Sequence, residues 1–174
     1  MPQIWRWTEG SGAPAAPLGV EALFEPVAGT DLTAFDLQMP FLFWPEFVYE
    51  GLARMHGRPA HKFLFYPPAD IAARNPALHG VRAYIDTQYT AFVQAELIGE
   101  NDQAVKTLSI LYLKKIGEQW IVKSVDCREE ATRNKTRFSV TAAALDQHFS
   151  SAVFDPMNLA GPAIVPGELV KLTP

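Results

Sequence analysis

Apolar and polar residues alternate with a period of two along most of the chain. This period is typical of β-strands, whose successive side chains point to opposite faces of a sheet. The pattern predicts nine strands, at Ile4–Thr8, Val20–Phe24, Phe47–Met55, Ala60–Tyr66, Val81–Asp86, Phe92–Ile98, Ala104–Lys114, Trp120–Arg128 and Thr136–Ala142. The fold class is therefore predicted to be mainly β.

Helical patterns are few and short. Thr30 or Asp31 can N-cap a turn that runs through Leu37, and Pro68–Asn75 and Ala142–Phe149 predict two further helical segments. None is long enough to connect neighbouring parallel strands, which takes a dozen or more residues. We therefore expect an antiparallel sheet with a few short helices.

The positions of the prolines support an antiparallel sheet. Of the fourteen prolines, none falls between Ala77 and Asp155. Proline cannot donate a hydrogen bond to a neighbouring strand, so this stretch is where we expect the central paired strands. Three glycines and the polar pair at 133–134 divide it at intervals of 16 to 19 residues, which predicts a meander with tight turns.

Two of the predicted strands are apolar at both sets of alternating positions. These are Ala60–Tyr66 and Ala104–Lys114. A strand with one face in water would alternate cleanly between apolar and polar residues. We therefore expect both strands to be covered on both faces, by another layer, by the N-terminal segments or by a ligand.

Length and charge restrict the classes of protein to which the chain can belong. The chain has 174 residues, 48% of them hydrophobic, which is enough for one globular domain with its own core. Fifteen basic against nineteen acidic residues give a net charge of −4, which disfavours a nucleic-acid-binding protein with a broad basic surface. No apolar run has the length of a membrane-spanning helix, and no signal peptide is expected at the first residues.

One stretch of the chain is basic. Residues 114–137 hold seven basic and four acidic residues. Such a stretch can contact anionic headgroups or an acidic partner, but it is more typical of a sheet edge that charged side chains protect from pairing. Both interpretations stay open at the level of the sequence, the protected edge being preferred.

The sequence lacks the common catalytic motifs. It has no Gly-x-Ser-x-Gly turn, no phosphate-binding glycine loop, no dinucleotide fingerprint and no His-Glu-x-x-His helix. Three residue pairs could in principle provide a metal site, a thiol nucleophile with its base, or paired carboxylates, but ordinary structural roles explain each better: His56 with His61, Cys127 with His148, and Asp86 with Glu96. We expect no catalytic residue, no metal site and no cofactor.

The order of strands and turns resembles a known family. It comprises a strand, a Gly-Arg-Pro turn and a strand within Tyr49–Pro67, followed by further strands and turns at Val81–Asp86, Ala95–Leu97, Lys106–Lys114, Gly117–Trp120 and Asn134–Phe138, and by Phe154–Pro156. This order is similar to that of the outer-membrane lipoprotein-sorting proteins, the LolA-like periplasmic carriers. The resemblance covers residues 29–159.

The resemblance implies an unclosed or half β-barrel, a curved antiparallel sheet whose inner face encloses an apolar cavity for acyl chains. It also implies a non-enzymatic carrier of the periplasm or cell envelope that holds a lipid or the acyl chains of a lipoprotein. The N-terminal part of the family pattern is missing here, since 28 residues precede the matching segment. We expect residues 4–24 or a second chain to complete the cavity, or the cavity to be shallower.

These observations predict one domain with three parts. Residues 1–28 form N-terminal strands and a flexible Gly/Pro loop, residues 29–159 form the sheet, and residues 160–174 form an extended tail. The candidate ligand-binding residues are bulky apolar members of one alternation set in each strand: Phe63, Phe65, Leu108, Ile110, Tyr112, Trp120 and Val122. Ordinary core packing is the competing interpretation for each of them.

A second hypothesis uses the same scaffold without a lipid. In it, the chain is a protein-interaction or envelope-sensor module that docks a protein partner through a sheet edge or the basic stretch, or that pairs as a homodimer.

Overall fold

The computed structural model describes residues 4–161 and 167–172. The strands in chain order are β1 (Ile4–Arg6), β2 (Ala16–Leu18), β3 (Phe47–Met55), β4 (Arg58–Phe65), β5 (Gly80–Asp86), β6 (Phe92–Ile98), β7 (Ala104–Ile116), β8 (Gln119–Glu129), β9 (Lys135–Ser139), β10 (Ala142–Ala143) and β11 (Val170–Lys171). The helices are α1 (Ala34–Gln38) and α2 (Ala69–Arg74), with short 3₁₀ segments between strands.

Strands β3 to β9 form one seven-stranded antiparallel sheet in which each strand pairs with its neighbours in sequence. The sheet is not closed, because β3 and β9 are its edges. The predicted mainly β meander is confirmed. The hairpin between β3 and β4 turns at His56 and Gly57, both with positive φ as a two-residue turn requires, so Arg58 and Pro59 of the expected turn belong to β4 instead.

One face of the sheet, the inner face, is partly covered by chain segments that we call the covering layer. This layer comprises the 3₁₀ segment Val20–Phe24, residues 32–44 with α1, and the α2 region up to Leu78. Its fully buried apolar side chains are Leu23, Phe35 and Phe41, which pack with Val81 and Cys127 of the sheet. The ring centroids of Phe35 and Phe41 lie 6.0 Å apart, so the layer has an aromatic centre.

Buried polar contacts fix the covering layer to the sheet. Thr33 and Asp36 cap α1 reciprocally, and Asp36 is buried. Lys106 reaches up from β7 and donates to Asp36 Oδ2 at 3.0 Å and to the carbonyl of Asp31 at 2.9 Å. Asp31 also accepts from Thr136 Oγ1 of β9 at 2.9 Å. The N-terminal part of the layer is thereby tied to both β7 and β9.

The opposite, outer face of the sheet is polar. Arg82 donates to Glu50 at 2.7 Å and to Asp102 at 2.9 Å, and these carboxylates raise the pKa of the guanidinium. Tyr84 donates to Glu96 at 3.1 Å, and burial, with the nearby Glu96 carboxylate, raises the pKa of the phenol to about 12. This network crosses the centre of the outer face, whereas most large apolar side chains of the strands lie on the inner face; Val48 and Leu64 are exceptions.

The outer face of β7 contradicts one expectation. Thr107 donates to Glu130 and Ser109 donates to Gln94, each at 3.0 Å, so the centre of this strand is polar on its outer side. The pairing with β8 shifts register between Ile110 and Tyr112, which interrupts the alternation. Both sets of alternating positions in β7 look apolar in the sequence because a bulge interrupts the alternation. The expectation that both faces of β7 are covered is wrong.

Two predicted elements have a different structure. Val20–Phe24 is a 3₁₀ segment instead of a strand, because Leu23 and Phe24 both turn onto the core. The predicted helix Ala142–Phe149 is wrong, since its first two residues form β10 and pair with Val170–Lys171. The remaining predicted strands are found within a few residues of their expected bounds, and α2 lies inside Pro68–Asn75. Residues 162–166 and 173–174 of the expected tail lie outside the described residues.

Candidate functional site

The register of the sheet arranges the inner face in rows of side chains. One row crosses the whole sheet through directly paired positions: Tyr49, Phe63, Ala83, Ala95, Leu108, Cys127 and Thr136. Its central members are buried beneath the covering layer. A second row lies closer to the β3–β4, β5–β6 and β7–β8 turns. It includes His61, Ile85, Val125 and Phe138, which are only half-buried or exposed.

We call the inner-face positions that keep some exposure to solvent the open half, although two of them, Phe63 and Phe92, also pack against the buried core. The open half comprises Phe47, Tyr49, Leu52, His61, Phe63, Ile85, Phe92, Ile110, Val125 and Phe138. Leu52, opposite His61, is 64% exposed. Large apolar side chains thus continue across the inner face after the covering layer ends.

An aromatic stripe links the covered part of the face to the open half. The centroid of Phe47 lies 5.5 Å from Phe65 and 6.0 Å from Phe63. Tyr49 continues the stripe at 5.2 Å from Phe63 and 5.7 Å from His61. The packed rings form a continuous aromatic wall along the edge of the inner face.

Polar groups are placed at the margin of this wall. The Tyr49 hydroxyl and His61 Nδ1 lie 3.1 Å apart and hydrogen bond to each other. Arg54 follows at the end of β3, where its Nε donates to the carbonyl of Gly57 at 3.2 Å. The open half therefore has an apolar floor, one internally satisfied polar pair and a cation near the turn. Such a surface suits an apolar chain with a polar or anionic end.

A separate cavity of about 540 Å³ lies beside the covering layer. Its lining residues are Leu23, Gln38, Pro40, Phe43, Trp44, Pro45, Pro68, Asp70 and Ile71. Phe43 is 86% exposed, whereas Trp44 packs against the core phenylalanine Phe41 at 6.4 Å. The volume falls within the range of small-molecule sites, so the covering layer has an apolar recess of its own.

The seven candidate ligand-binding residues occupy three different environments. Phe65 and Leu108 are buried in the core, and Phe63 and Ile110 are half-buried in the open half. Tyr112, Trp120 and Val122 are exposed on the part of the β7–β8 hairpin that extends past its neighbours. The structure therefore groups Phe63 with Ile110, while ligand contact by all seven stays a prediction.

The candidate catalytic pairs are separated in the described residues. Cys127 is fully buried while His148 is exposed, and burial raises the pKa of the thiol to about 11. Asp86 is bound by Arg58 at 2.7 Å, which lowers the pKa of its carboxyl to about 2. Glu96 accepts hydrogen bonds from Tyr84 and Gln94. No group of three metal-ligating side chains converges within residues 4–161 and 167–172.

Sequence reasoning missed four exposed apolar residues, namely Phe43, Phe47, Tyr49 and Leu52. Phe47 and Tyr49 alternate within a strand whose bounds were predicted, so extending the same reasoning to the first strand of the sheet would have found them. The same alternation would not find Leu52. The β3–β4 register shifts between Tyr49 and Gly51, and this shift places Leu52 on the inner face.

This unclosed sheet with an apolar inner face is similar to the fold of solved LolA-like proteins. A DUF1329 family protein from Desulfovibrio piger superposes with a TM-score of 0.67 at 14% identity, covering 88% of this chain and 62% of that one. A domain described as an outer membrane lipoprotein-sorting protein, from Vibrio parahaemolyticus, gives 0.62 at 12% identity, covering 83% and 62%. A LolA superfamily protein from Nitrosomonas europaea gives 0.57 at 9% identity, covering 78% and 58%.

A family model described as "uncharacterized protein" matches residues 22–161, and the chain belongs to that family. None of the curated proteins matches it. The chain spans about three-fifths of the length of the solved structures that it resembles. The predicted resemblance to the LolA-like proteins is thus confirmed at the level of the fold. Within the described residues, no helix combines the length and apolarity that spanning a membrane requires.

Proposed function

We propose that the chain is a non-enzymatic carrier of the bacterial cell envelope that holds the acyl chains of a lipid or lipoprotein against its open half. The observation that carries the proposal is the exposure of large apolar side chains on the inner face, led by Leu52, Phe47 and Tyr49. Contiguous exposed apolar surface of this kind is uncommon on soluble monomers and usually marks a binding site. The periplasm or cell envelope is the location proposed with it, from the same structural resemblance.

The expected source of affinity is burial. Each methylene removed from water contributes about 0.8 kcal/mol, so a chain of about ten methylenes supplies roughly 8 kcal/mol before the cost of immobilisation is subtracted. Phe63 and Ile110 border the region in which such a chain would lie, one on β4 and the other on β7. The mechanism consists of binding and release and includes no catalytic step.

The test compares variants of the open half with a matched variant of the covering layer. Leu52→Ser and Phe63→Ser should weaken binding of a dansyl-labelled fatty acid by roughly tenfold each, because each removes apolar contact area from the site. Leu37→Ser is the control, since Leu37 is similarly exposed but belongs to α1. Fluorescence titration gives the three affinities, and equal affinities for all variants would contradict the proposal.

Native mass spectrometry of gently purified protein, compared with the denatured mass of the same sample, adds the identity of the ligand. Additional mass released as lipid supports the carrier. A bare monomer that also fails to bind the labelled fatty acid contradicts it.

A protein-interaction module is the second candidate, and one observation favours it. The edge strand β3 is nine residues long and presents the exposed side chains of Phe47 and Val48 on its two faces. A long apolar edge strand is a template for pairing with another chain. A ligand-free dimer in the same native spectrum, lost when Val48→Lys is introduced, would support this candidate over the carrier.

A further inference from the structure

The β7–β8 hairpin extends past the rest of the sheet. β6 pairs with β7 only as far as Ser109, and β9 pairs with β8 only from Ser124 onward. Residues 110–124, which we call the projecting hairpin, therefore lack a neighbouring strand of the sheet along most of their length. Their turn lies at Gly117, which has a positive φ. This two-stranded projection is available to interact with something outside the sheet.

One face of the projecting hairpin combines apolar side chains with a lysine. The register pairs Leu113 with Val122 and Lys115 with Trp120, and directly paired residues share a face. Trp120 is 65% exposed and Leu113 is 45% exposed. Trp is the side chain that favours the boundary between lipid and water, and lysine can bury its stem while its ammonium stays in the headgroup region.

The charge of the projecting hairpin differs in sign from that of the chain. It holds three lysines and one glutamate, a net charge of +2 in a chain whose net charge is −4. Glu118 forms an exposed ion pair with Lys115 at 3.0 Å, which contributes little in water. On the opposite face Gln119 donates to Asp146 at 3.0 Å, so the acidic neighbour lies away from Trp120. An anionic surface would attract this end and repel the remainder of the molecule.

Three of the other four basic residues of the stretch 114–137 are paired with carboxylates. Arg137 donates to Asp126 at 2.6 Å, and Lys135 pairs with the same carboxylate at 3.0 Å. Arg128 lies 3.4 Å from Glu130. These three residues fit the protected sheet edge that the sequence favoured. Of the remaining four basic residues of the stretch, three lie on the projecting hairpin and Arg133 lies between β8 and β9. Among the hairpin lysines, Lys115 is the one directly paired with Trp120.

The position of the hairpin connects it to the open half. In a meander the turns β3–β4, β5–β6 and β7–β8 lie at one end of the sheet. Most of the open half lies toward the same end, because His61 and Ile110 are closer to these turns than the buried row is, whereas Phe47 lies at the opposite end of β3. We propose that the projecting hairpin docks on an anionic lipid bilayer, with Trp120, Leu113 and Val122 entering the interface and Lys115 contacting headgroups. A role of this docking in lipid transfer rests on the proposed function, whereas the docking of the hairpin itself does not.

Co-sedimentation with vesicles tests the docking. The whole chain should partition onto vesicles of phosphatidylglycerol and phosphatidylcholine, and only weakly onto phosphatidylcholine alone. Lys115→Gln should reduce this partitioning by about fivefold, the factor expected for one basic residue near an anionic surface. Trp120→Ser should reduce it by roughly tenfold. Phe154→Ser is the matched control, because Phe154 is 73% exposed but lies outside the hairpin.

Tryptophan fluorescence gives a second measurement of docking. It compares the wild type with Trp120→Phe, so a folding defect in a serine variant does not affect it. Anionic vesicles should shift the emission of the wild type to shorter wavelength. Trp120→Phe should keep partitioning within about twofold, since an aromatic anchor remains, and should abolish the shift. A shift that persists in Trp120→Phe would locate the contact at another tryptophan and overturn the proposal.

Three further results would overturn the docking proposal. The first is equal partitioning of the wild type onto neutral and anionic vesicles, and the second is an equal loss in Phe154→Ser and Trp120→Ser. The third is retention of the wild type on an immobilised acidic peptide without partitioning onto vesicles, which would indicate an acidic protein partner. Open-half variants such as Leu52→Ser should partition normally, so either proposal can fail while the other stands.

Discussion

The covered and the open parts of the inner face have the same kind of residues and the same alternation, yet they differ in what lies above them. Phe65 and Leu108 are buried beneath the covering layer, whereas Phe47 and Leu52 of the same face are exposed. The apolar pattern of a strand therefore does not distinguish a face that the chain covers from one that it leaves exposed.

The difference between the two parts depends on polar anchoring as much as on apolar packing. The covering layer ends in a capped helix whose Asp36 meets Lys106, a charged residue placed within the inner face. Removing one partner of such a buried charge pair leaves the other charge without compensation in the interior. Lys106 therefore lies in the part of the inner face that the covering layer covers.

The largest expected effect comes from truncating one aromatic ring in each part. Phe41→Ala should lower the free energy of unfolding by about 4 kcal/mol, because Phe41 is fully buried and its removal leaves a cavity in the covered part. Phe47→Ala should lower it by about 1 kcal/mol or less, since that ring is half in water. Urea denaturation of both variants measures the two losses. Similar losses would mean that the open half is also core.

Removing the anchor should have the next largest effect. Lys106→Met should lower the free energy of unfolding by about 3 kcal/mol, because it leaves the buried carboxylate of Asp36 without its cation. Adding Asp36→Asn should restore part of the loss by removing the uncompensated charge. Lys115→Met, on the same strand but exposed, should change stability by no more than about 0.5 kcal/mol. A loss in the control as large as that of Lys106→Met would refute the anchoring role.

A smaller, pH-dependent effect is expected on the polar outer face. Arg137 and Lys135 lower the pKa of Asp126 from 3.8 to about 2 in the folded chain. A carboxyl with a lowered folded pKa stabilises the fold above its unfolded pKa, and this stabilisation is lost as the pH falls from about 4 through about 2. Asp126→Asn should therefore cost about 1 kcal/mol at pH 7 and almost nothing at pH 2. Thermal melts across this pH range test it, and a gap that persists at pH 2 would contradict the assignment.

Much of the sheet could be predicted because its signals are local. The bounds of Phe47–Met55 and Phe92–Ile98 were predicted without error, since alternation and flanking turn residues both mark them. Val20–Phe24 and Ala142–Phe149 were not, because their structure depends on distant contacts. Leu23 packs on the core, and Ala142 pairs with Lys171. Segments of so few residues lack a decisive periodicity of their own.

The site was less predictable than the fold. Alternation placed Phe63 and Ile110 on the inner face, but it could not tell them from the buried Leu108, because cover is a tertiary property. Register shifts set the second limit. The shifts beside Gly51 and Tyr112 change which face the following residues occupy, and no residue type in either segment marks them without ambiguity.

The rate at which the single cysteine of the chain is alkylated can report how often the covering layer opens. Cys127 lies under Asp31, with its sulfur 3.8 Å from that carbonyl, and is inaccessible while the layer is in place. Alkylation of the native protein must therefore wait until this segment lifts, because both shielding and the raised pKa of the thiol suppress the reaction. The rate of labelling, measured with and without an acyl ligand, reports how often the inner face is uncovered.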